Sequence, residues 1–144
     1  MPLFKRAERA VVIKTADLMS SPPVTLSSEA KVDDVPGVMW KNGVGSVLIV
    51  DKKGKLVGIV TERDVLYAAS HGLLGKGHPV SAVMSRDLTV ATPDEDVTSV
   101  IEKMRDYNVR HIPVVDSEGR PVGVVSARDV LDYAVRLISL FMRA

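Results

Sequence analysis

The sequence predicts an α+β protein made of two tandem copies of one β-α-β-β-α unit. Three observations predict it. Laid on itself with a shift of about 65 positions, the chain matches along most of its 144 residues. Each copy carries two short apolar strands joined by a glycine-bearing turn, Asp51-Lys-Lys-Gly54 and Asp116-Ser-Glu-Gly119. Helical spacing of apolar residues flanks both strand pairs.

Each element follows in order. A short strand leads into each unit, Val24-Thr-Leu26 in the first and Leu88-Thr-Val90 in the second, preceded by the matching stretches Leu18-Met-Ser20 and Val83-Met-Ser85. The next element is a helix. Val32, Val35 and Met39 face Val97, Val100 and Met104 at helical spacing, and Thr92-Pro93-Asp94 is a start signal for the second copy. Pro36-Gly37 interrupts the first copy, which should therefore be short or displaced. The strand pairs come next, Val47-Leu-Ile-Val-Asp51 opposite Ile112-Pro-Val-Val-Asp116 and Val57-Gly58 opposite Val122-Gly123. Apolar on successive residues, they need cover on both faces, and helices supply it. The register calls for one inserted residue, ahead of Val97. Residues 12–72 and 80–135 are read as the two units, 73–79 as a linker and 136–144 as a helical extension.

Composition narrows the function. A net charge of +1 with interspersed signs disfavours a dedicated nucleic-acid binder. The apolar runs are too short for a membrane span, and Ala7-Glu-Arg-Ala10 breaks any signal-peptide core, so a cytoplasmic protein is expected. Cysteine is absent, which excludes disulfides and thiolate chemistry. His71, His78 and His111 lack metal-site spacing, so no metal is expected. No glutamine occurs, a composition that leans towards a thermophilic source. Nothing resembles a paired nucleophile and base or a Walker loop, and no catalytic residue is assigned.

The most informative stretch is GIVTERDVL, Gly58 to Leu66, which returns as GVVSARDVL from Gly123 to Leu131. In both, a strand ends in a hydroxyl residue, a helix starts, and an aspartate follows three positions on. Two readings stand side by side. Thr61 with Asp64, and Ser126 with Asp129, have the spacing of a helix-capping box. The same groups, with free amides at a helix start, suit a phosphate and the two hydroxyls of a ribose. Gly58 and Gly123 let a ligand or another backbone come close. Capping alone leaves unexplained why Arg63 and Arg128 recur with the aspartates while Glu62 becomes Ala127.

Tandem units carrying Gly-h-h-Thr/Ser-x-x-Asp-h after a strand, with Val-x-x-h-Pro-Val-Val-Asp upstream in the second, resemble a pair of CBS domains, named after cystathionine beta-synthase. The likeness runs from about Thr15 to Ala134. It implies two units packed through their sheets about a pseudo-twofold axis, with two clefts that bind adenosine derivatives and borrow from both units. By that likeness Asp64 and Asp129 take ribose hydroxyls, and Thr61 and Ser126 the ribose or phosphate. Thr25 and Thr89, with Ile59 and Val124, enclose the adenine. Val44-Gly45-Ser46 and Val109-Arg110-His111-Ile112 supply backbone contacts and phosphate ligands. The resemblance implies a regulatory sensor of AMP, ADP or ATP rather than an enzyme, without a cofactor. With no room in 144 residues for a fused enzyme, it is expected to act on a separate protein. Other readings are a scaffold with empty clefts and a sensor of S-adenosylmethionine or NAD.

The copies differ where it matters. Arg110-His111-Ile112-Pro113 in the second unit stands against Gly45-Ser46-Val47-Leu48 in the first, so the cleft built on Ser126 and Asp129 has the richer phosphate chemistry. Trp40 and Met39 read as packing residues, and Lys52-Lys53 as a solvated turn. On the final helix, Val130, Ala134, Leu137, Ile138 and Phe141 make a stripe longer than its counterpart. Paired units of this kind commonly form disc-like dimers, so a homodimer is expected through this helix and those around the two corners.

Overall fold

The structure is a computed structural model and describes residues 12–143. Helix α1 (Thr15–Leu18) precedes strand β1 (Thr25–Ser27) and helix α2 (Val35–Asn42), itself introduced by a 3-10 turn over Val32–Asp34. Strands β2 (Ser46–Val50) and β3 (Leu56–Thr61) and helix α3 (Glu62–Ser70) complete the first copy. The second has a 3-10 turn at Val80–Ala82, helix α4 (Val97–Asp106), strands β4 (His111–Val115) and β5 (Pro121–Ser126), and helix α5 (Ala127–Met142). The α+β class and the repeated unit are as the sequence predicts.

Local chemistry explains most of these elements. Gly54 and Gly119 both take φ of 78°, and Asp51 and Asp116 tie the two turns by accepting from the amides two and four residues on, at 2.8 to 3.0 Å. β2 is buried along four successive residues, so both faces of the sheet are covered. Helix α2 is shorter than α4, with Pro36 in its first turn, where a missing N–H costs nothing. It ends on Gly43 in the left-handed conformation, and Asn108 occupies the same place after α4.

The register holds at 65 residues throughout, without the expected insertion. Leu26 lies opposite Ile49 in the first unit and Ala91 opposite Val114 in the second. Thr89 therefore corresponds to Val24 rather than to Thr25. The second leading strand is reduced to that single parallel bridge at Ala91, and proline is the reason. In the first unit Leu48 N–H donates to the Val24 carbonyl and Ser28 N–H to that of Val50. Their counterparts are Pro113 and Pro93, which have no N–H to donate. The ladder there keeps only the two bonds of Ala91.

The two units exchange their lead-in segments. Ser20 and Val124 exchange both backbone bonds, at 2.9 and 3.0 Å, and Ser85 and Ile59 do the same at 2.9 and 3.1 Å. Further out, Lys14 bridges to Asp96 and Lys31 to Pro79. Every one of these contacts has its partner under the 65-residue shift, which makes the relation between the units a pseudo-twofold one. The cores follow the exchange: Val80 and Val83 are buried with Val35, Val47 and Val60, while Met19 packs on Val114 and Val125.

Glycines make the exchange possible. A Cβ on Gly58 would stand 2.5 Å from Met84 Sδ, and one on Gly123 would stand 2.7 Å from Met19 Sδ and 3.0 Å from the Ser20 carbonyl oxygen. Of the two readings of these glycines, close approach of the other unit is the one realised. Met84 can swing its flexible end away, whereas the Ser20 backbone is held by its bridge. Gly58→Ala should therefore cost about 1 kcal/mol of stability and Gly123→Ala about 2–3 kcal/mol, as overpacking does in a dense interior. Urea denaturation of the two variants checks this order; an equal or reversed cost would contradict it.

Candidate functional site

A cleft of about 1000 Å³ opens between the two units. The second unit contributes Arg110 and His111 at the start of β4, Val124 on β5, and Ser126, Arg128 and Asp129 at the start of α5. The first unit faces them with Val44, Gly45 and Ser46 before and at the start of β2, and with Glu62 at the start of α3. Nine of the residues singled out in the sequence thus meet in one place.

The corner itself is a cap. Ser126 N–H donates to Asp129 Oδ2 at 2.8 Å, Ser126 Oγ donates to the same oxygen at 2.9 Å, and Asp129 N–H donates back to Oγ at 3.1 Å. Thr61 and Asp64 repeat it, with Thr61 N–H at 2.8 Å and its hydroxyl at 3.3 Å from Oδ2. In each aspartate the cap uses Oδ2. The other oxygen of Asp129 has a single contact, the Ser20 hydroxyl at 3.5 Å, the outer limit of a hydrogen bond. One carboxylate of a cleft-lining residue thus holds the helix start with one oxygen and leaves the other nearly free.

Amides at the helix start are less available than the sequence suggests. Ala127 N–H donates to the Arg110 carbonyl at 2.8 Å, just as Glu62 N–H donates to that of Gly45 at 3.1 Å. With Ser126 and Asp129 also bonded, most of the charge for an anion has to come from side chains. Arg110 and Arg128 are exposed at the rim and His111 is half-buried. Burial holds the His111 ring below the ordinary histidine range; the carboxylates of Glu62 and Asp129 oppose that shift and Arg110 adds to it. The imidazole is accordingly neutral at neutral pH.

The remaining sequence candidates lie outside this cleft. Ile112 is fully buried in the second core and has no side-chain surface to offer a ligand. Ile59 is buried under its bridge to Ser85, Thr25 and Arg63 are exposed on other faces, and Thr89, Val109, Thr61 and Asp64 are half-buried elsewhere. Thr25 and Thr89 are not equivalent positions, so they do not form the matched pair that the resemblance implies.

Sequence reasoning missed several lining residues. Ser20, Pro22, Pro23 and Val24 reach the cleft through the exchanged lead-in, which no local pattern announces. Trp40, read as a packing residue, is 90% exposed and lines the cleft, whereas its neighbour Met39 does belong to the core. Glu62 carried a signal, the break of the repeat at Ala127.

Comparisons with known proteins agree on the family. CBS domain matches extend over residues 16–71 and 80–136. The chain is 35% identical over 114 residues to L-aspartate semialdehyde sulfurtransferase of Methanocaldococcus jannaschii, covering 79% of this chain and 22% of that protein. The chain therefore spans about a fifth of that relative's length. Among solved structures, the CBS domain pair of protein MJ0100 in complex with 5′-methylthioadenosine and S-adenosyl-L-methionine superposes with a TM-score of 0.77 at 32% identity, covering 89% of this chain and 97% of that one. The CBS domain protein PAE2072 from Pyrobaculum aerophilum, complexed with AMP, gives 0.75 at 34% identity, over 81% and 89% of the two chains. With two tandem matches over most of its length and the exchanged two-unit architecture to go with them, this chain belongs to the CBS domain family.

Proposed function

We propose that this protein is a regulatory module that binds an adenine nucleotide, AMP in the first place and ADP or ATP as its relatives, in the cleft between its two units. The observation that carries this reading is the convergence of Ser126, Asp129, Arg110 and His111 on one cleft, opposite Val44, Gly45 and Ser46. Asp129 Oδ1 accepts the ribose hydroxyls while Oδ2 keeps the cap. Arg110, Arg128 and protonated His111 meet the phosphate, and Val124 gives the adenine an apolar wall. Occupancy is passed to a separate regulated protein, because a ligand held by both units resists any shift of one against the other. PAE2072, in complex with AMP, is the structural relative that supports the nucleotide. Thr61 and Asp64 make a second, weaker corner, lacking a basic pair at Gly45 and Ser46.

Because each aspartate is also a cap, alanine would confuse the two roles. Asparagine keeps an oxygen for the Ser126 or Thr61 amide and replaces the free one with a donor. In calorimetry Asp129→Asn should weaken the tighter AMP event by at least about tenfold, the loss of a charged hydrogen-bond acceptor, and Asp64→Asn only a weaker event. Thermal midpoints should move little. Unchanged AMP affinity in both variants would leave the corners as architecture alone.

Affinity should depend on pH through His111. Its free-state pKa lies below the ordinary value, and a bound phosphate raises it, so binding takes up a proton between the two. AMP should bind more tightly as pH falls through the bound-state pKa, and His111→Gln should flatten that dependence. A steep dependence surviving in the variant would assign it to another group.

Self-association is the second expectation. Of the α5 stripe expected from the sequence, Val130, Ala134 and Leu137 are half-buried and only Ile138 and Phe141 are exposed by more than half, together with Leu131, Val135 and Leu140 on α5 and Leu66 on α3. A homodimer burying these helices should sediment as such at tens of micromolar, and a monomer there would rule it out.

A further inference from the structure

Of the ionisable groups lining the cleft, five belong to the second unit: Arg110, His111, Arg128, Asp129 and Asp132. The sixth, Glu62, reaches in from the first. Its carboxylate and the His111 ring converge on Gly45: a Cβ there would stand 3.0 Å from Glu62 Oε1 and 3.1 Å from His111 Cε1. A side chain at this position would separate them; glycine leaves them as neighbours. Among the described residues, Glu62 accepts no hydrogen bond and forms no salt bridge. Ala127 stands at its place in the repeat, so the helix start does not require an acid there.

An unpaired carboxylate beside the cationic end of a cleft is costly for one kind of ligand and favourable for another. A phosphate drawn to His111 and Arg110 comes to lie near Glu62 and is repelled by it; a neutral group is indifferent; a cation is attracted. We propose that Glu62 is a specificity-determining residue that selects among adenosine derivatives by the charge of the 5′ substituent, opposing phosphates and favouring a sulfonium. This rests on the reading of the cleft as an adenosine site and refines it: the basic residues admit AMP, while Glu62 limits how far a dianion is preferred. Asp129 and Asp132 do not duplicate the role, since Asp129 is tied into the cap and Asp132 lies a turn further along α5.

Three ligands that share adenosine and differ in 5′ charge make the test: AMP as the anion, 5′-methylthioadenosine as the neutral form, and S-adenosyl-L-methionine as the sulfonium cation. Titrated calorimetrically into the full chain and into Glu62→Gln, AMP should bind the variant about three- to tenfold more tightly, the range expected for one charge a few ångströms away in a partly wet site. Methylthioadenosine should stay within about twofold on the same basis, and S-adenosylmethionine should weaken by about three- to tenfold. A structural role for Glu62 would move all three the same way, and that result, or no change in any, overturns the selector while leaving the adenosine site intact. If none of the three binds the parent chain, the adenosine reading falls, and the selector with it.

Discussion

Everything in this molecule depends on the reciprocal bridge between the lead-in of one unit and the second hairpin strand of the other. Ser20 on Val124 and Ser85 on Ile59 each satisfy two backbone groups that would otherwise end at a sheet edge. The methionine preceding each serine, Met19 or Met84, presses into the space over a glycine of the facing strand. A two-stranded sheet such as that of the second unit is a poor fold by itself. Exchanged segments complete both cores and close both edges, so neither unit is a self-sufficient domain, and the cleft between them is as fixed as the bridges that frame it. Ser20 belongs to a bridge and to the cleft at once.

Duplication with later divergence accounts for the asymmetry. Pro113 and Pro93 remove two ladder donors from the second unit and shrink its leading strand to one bridge. At the turns the same thing happens: Leu56 N–H donates to the Gly119 carbonyl at 3.0 Å, and the counterpart of Leu56 is Pro121, which has nothing to donate. Beside Pro113, the second unit carries Arg110 and His111 where the first has Gly45 and Ser46. The small residues of one copy make room for the large charged ones of the other. Gly45 shows this most directly, since a Cβ on it would press tightly on both Glu62 and His111, at 3.0 and 3.1 Å.

What was legible in the sequence follows a physical division. The turns at Gly54 and Gly119, the doubly covered strands and the short proline-started α2 are set by residues within a few positions of each other, and all are found as read. The exchange was not legible, because bonding between Ser20 and Val124 joins residues that local periodicity cannot relate. From this came the other errors. With the lead-in assigned to its own unit, Ser20, Pro22 and Pro23 had no reason to line a cleft. The resemblance matches Thr25 with Thr89, whereas the bridge at Ala91 sets the register one residue away. Trp40 fits a helical stripe by spacing alone, but α2 buries Val35 and Met39 and leaves Trp40 in solvent.

On the proposed reading, cap and ligand roles at the repeated corner are compatible once the two oxygens of the aspartate are counted separately. A capping box needs one acceptor for the N-cap amide, and a carboxylate has two oxygens with about four acceptor sites. Fixing Oδ2 to Ser126 removes the rotamer freedom of Asp129 before any ligand arrives and aims Oδ1 without further entropic cost. Glutamate at this place would lose that economy, because its extra bond would free the second oxygen to rotate away from a ligand. Serine or threonine three residues earlier is needed for the same reason, since its hydroxyl both caps the helix and pins the acid. On the proposed adenosine reading, the corner is written twice because a cap of this geometry leaves one carboxylate oxygen over for a ribose, and the residues around it decide what else is bound.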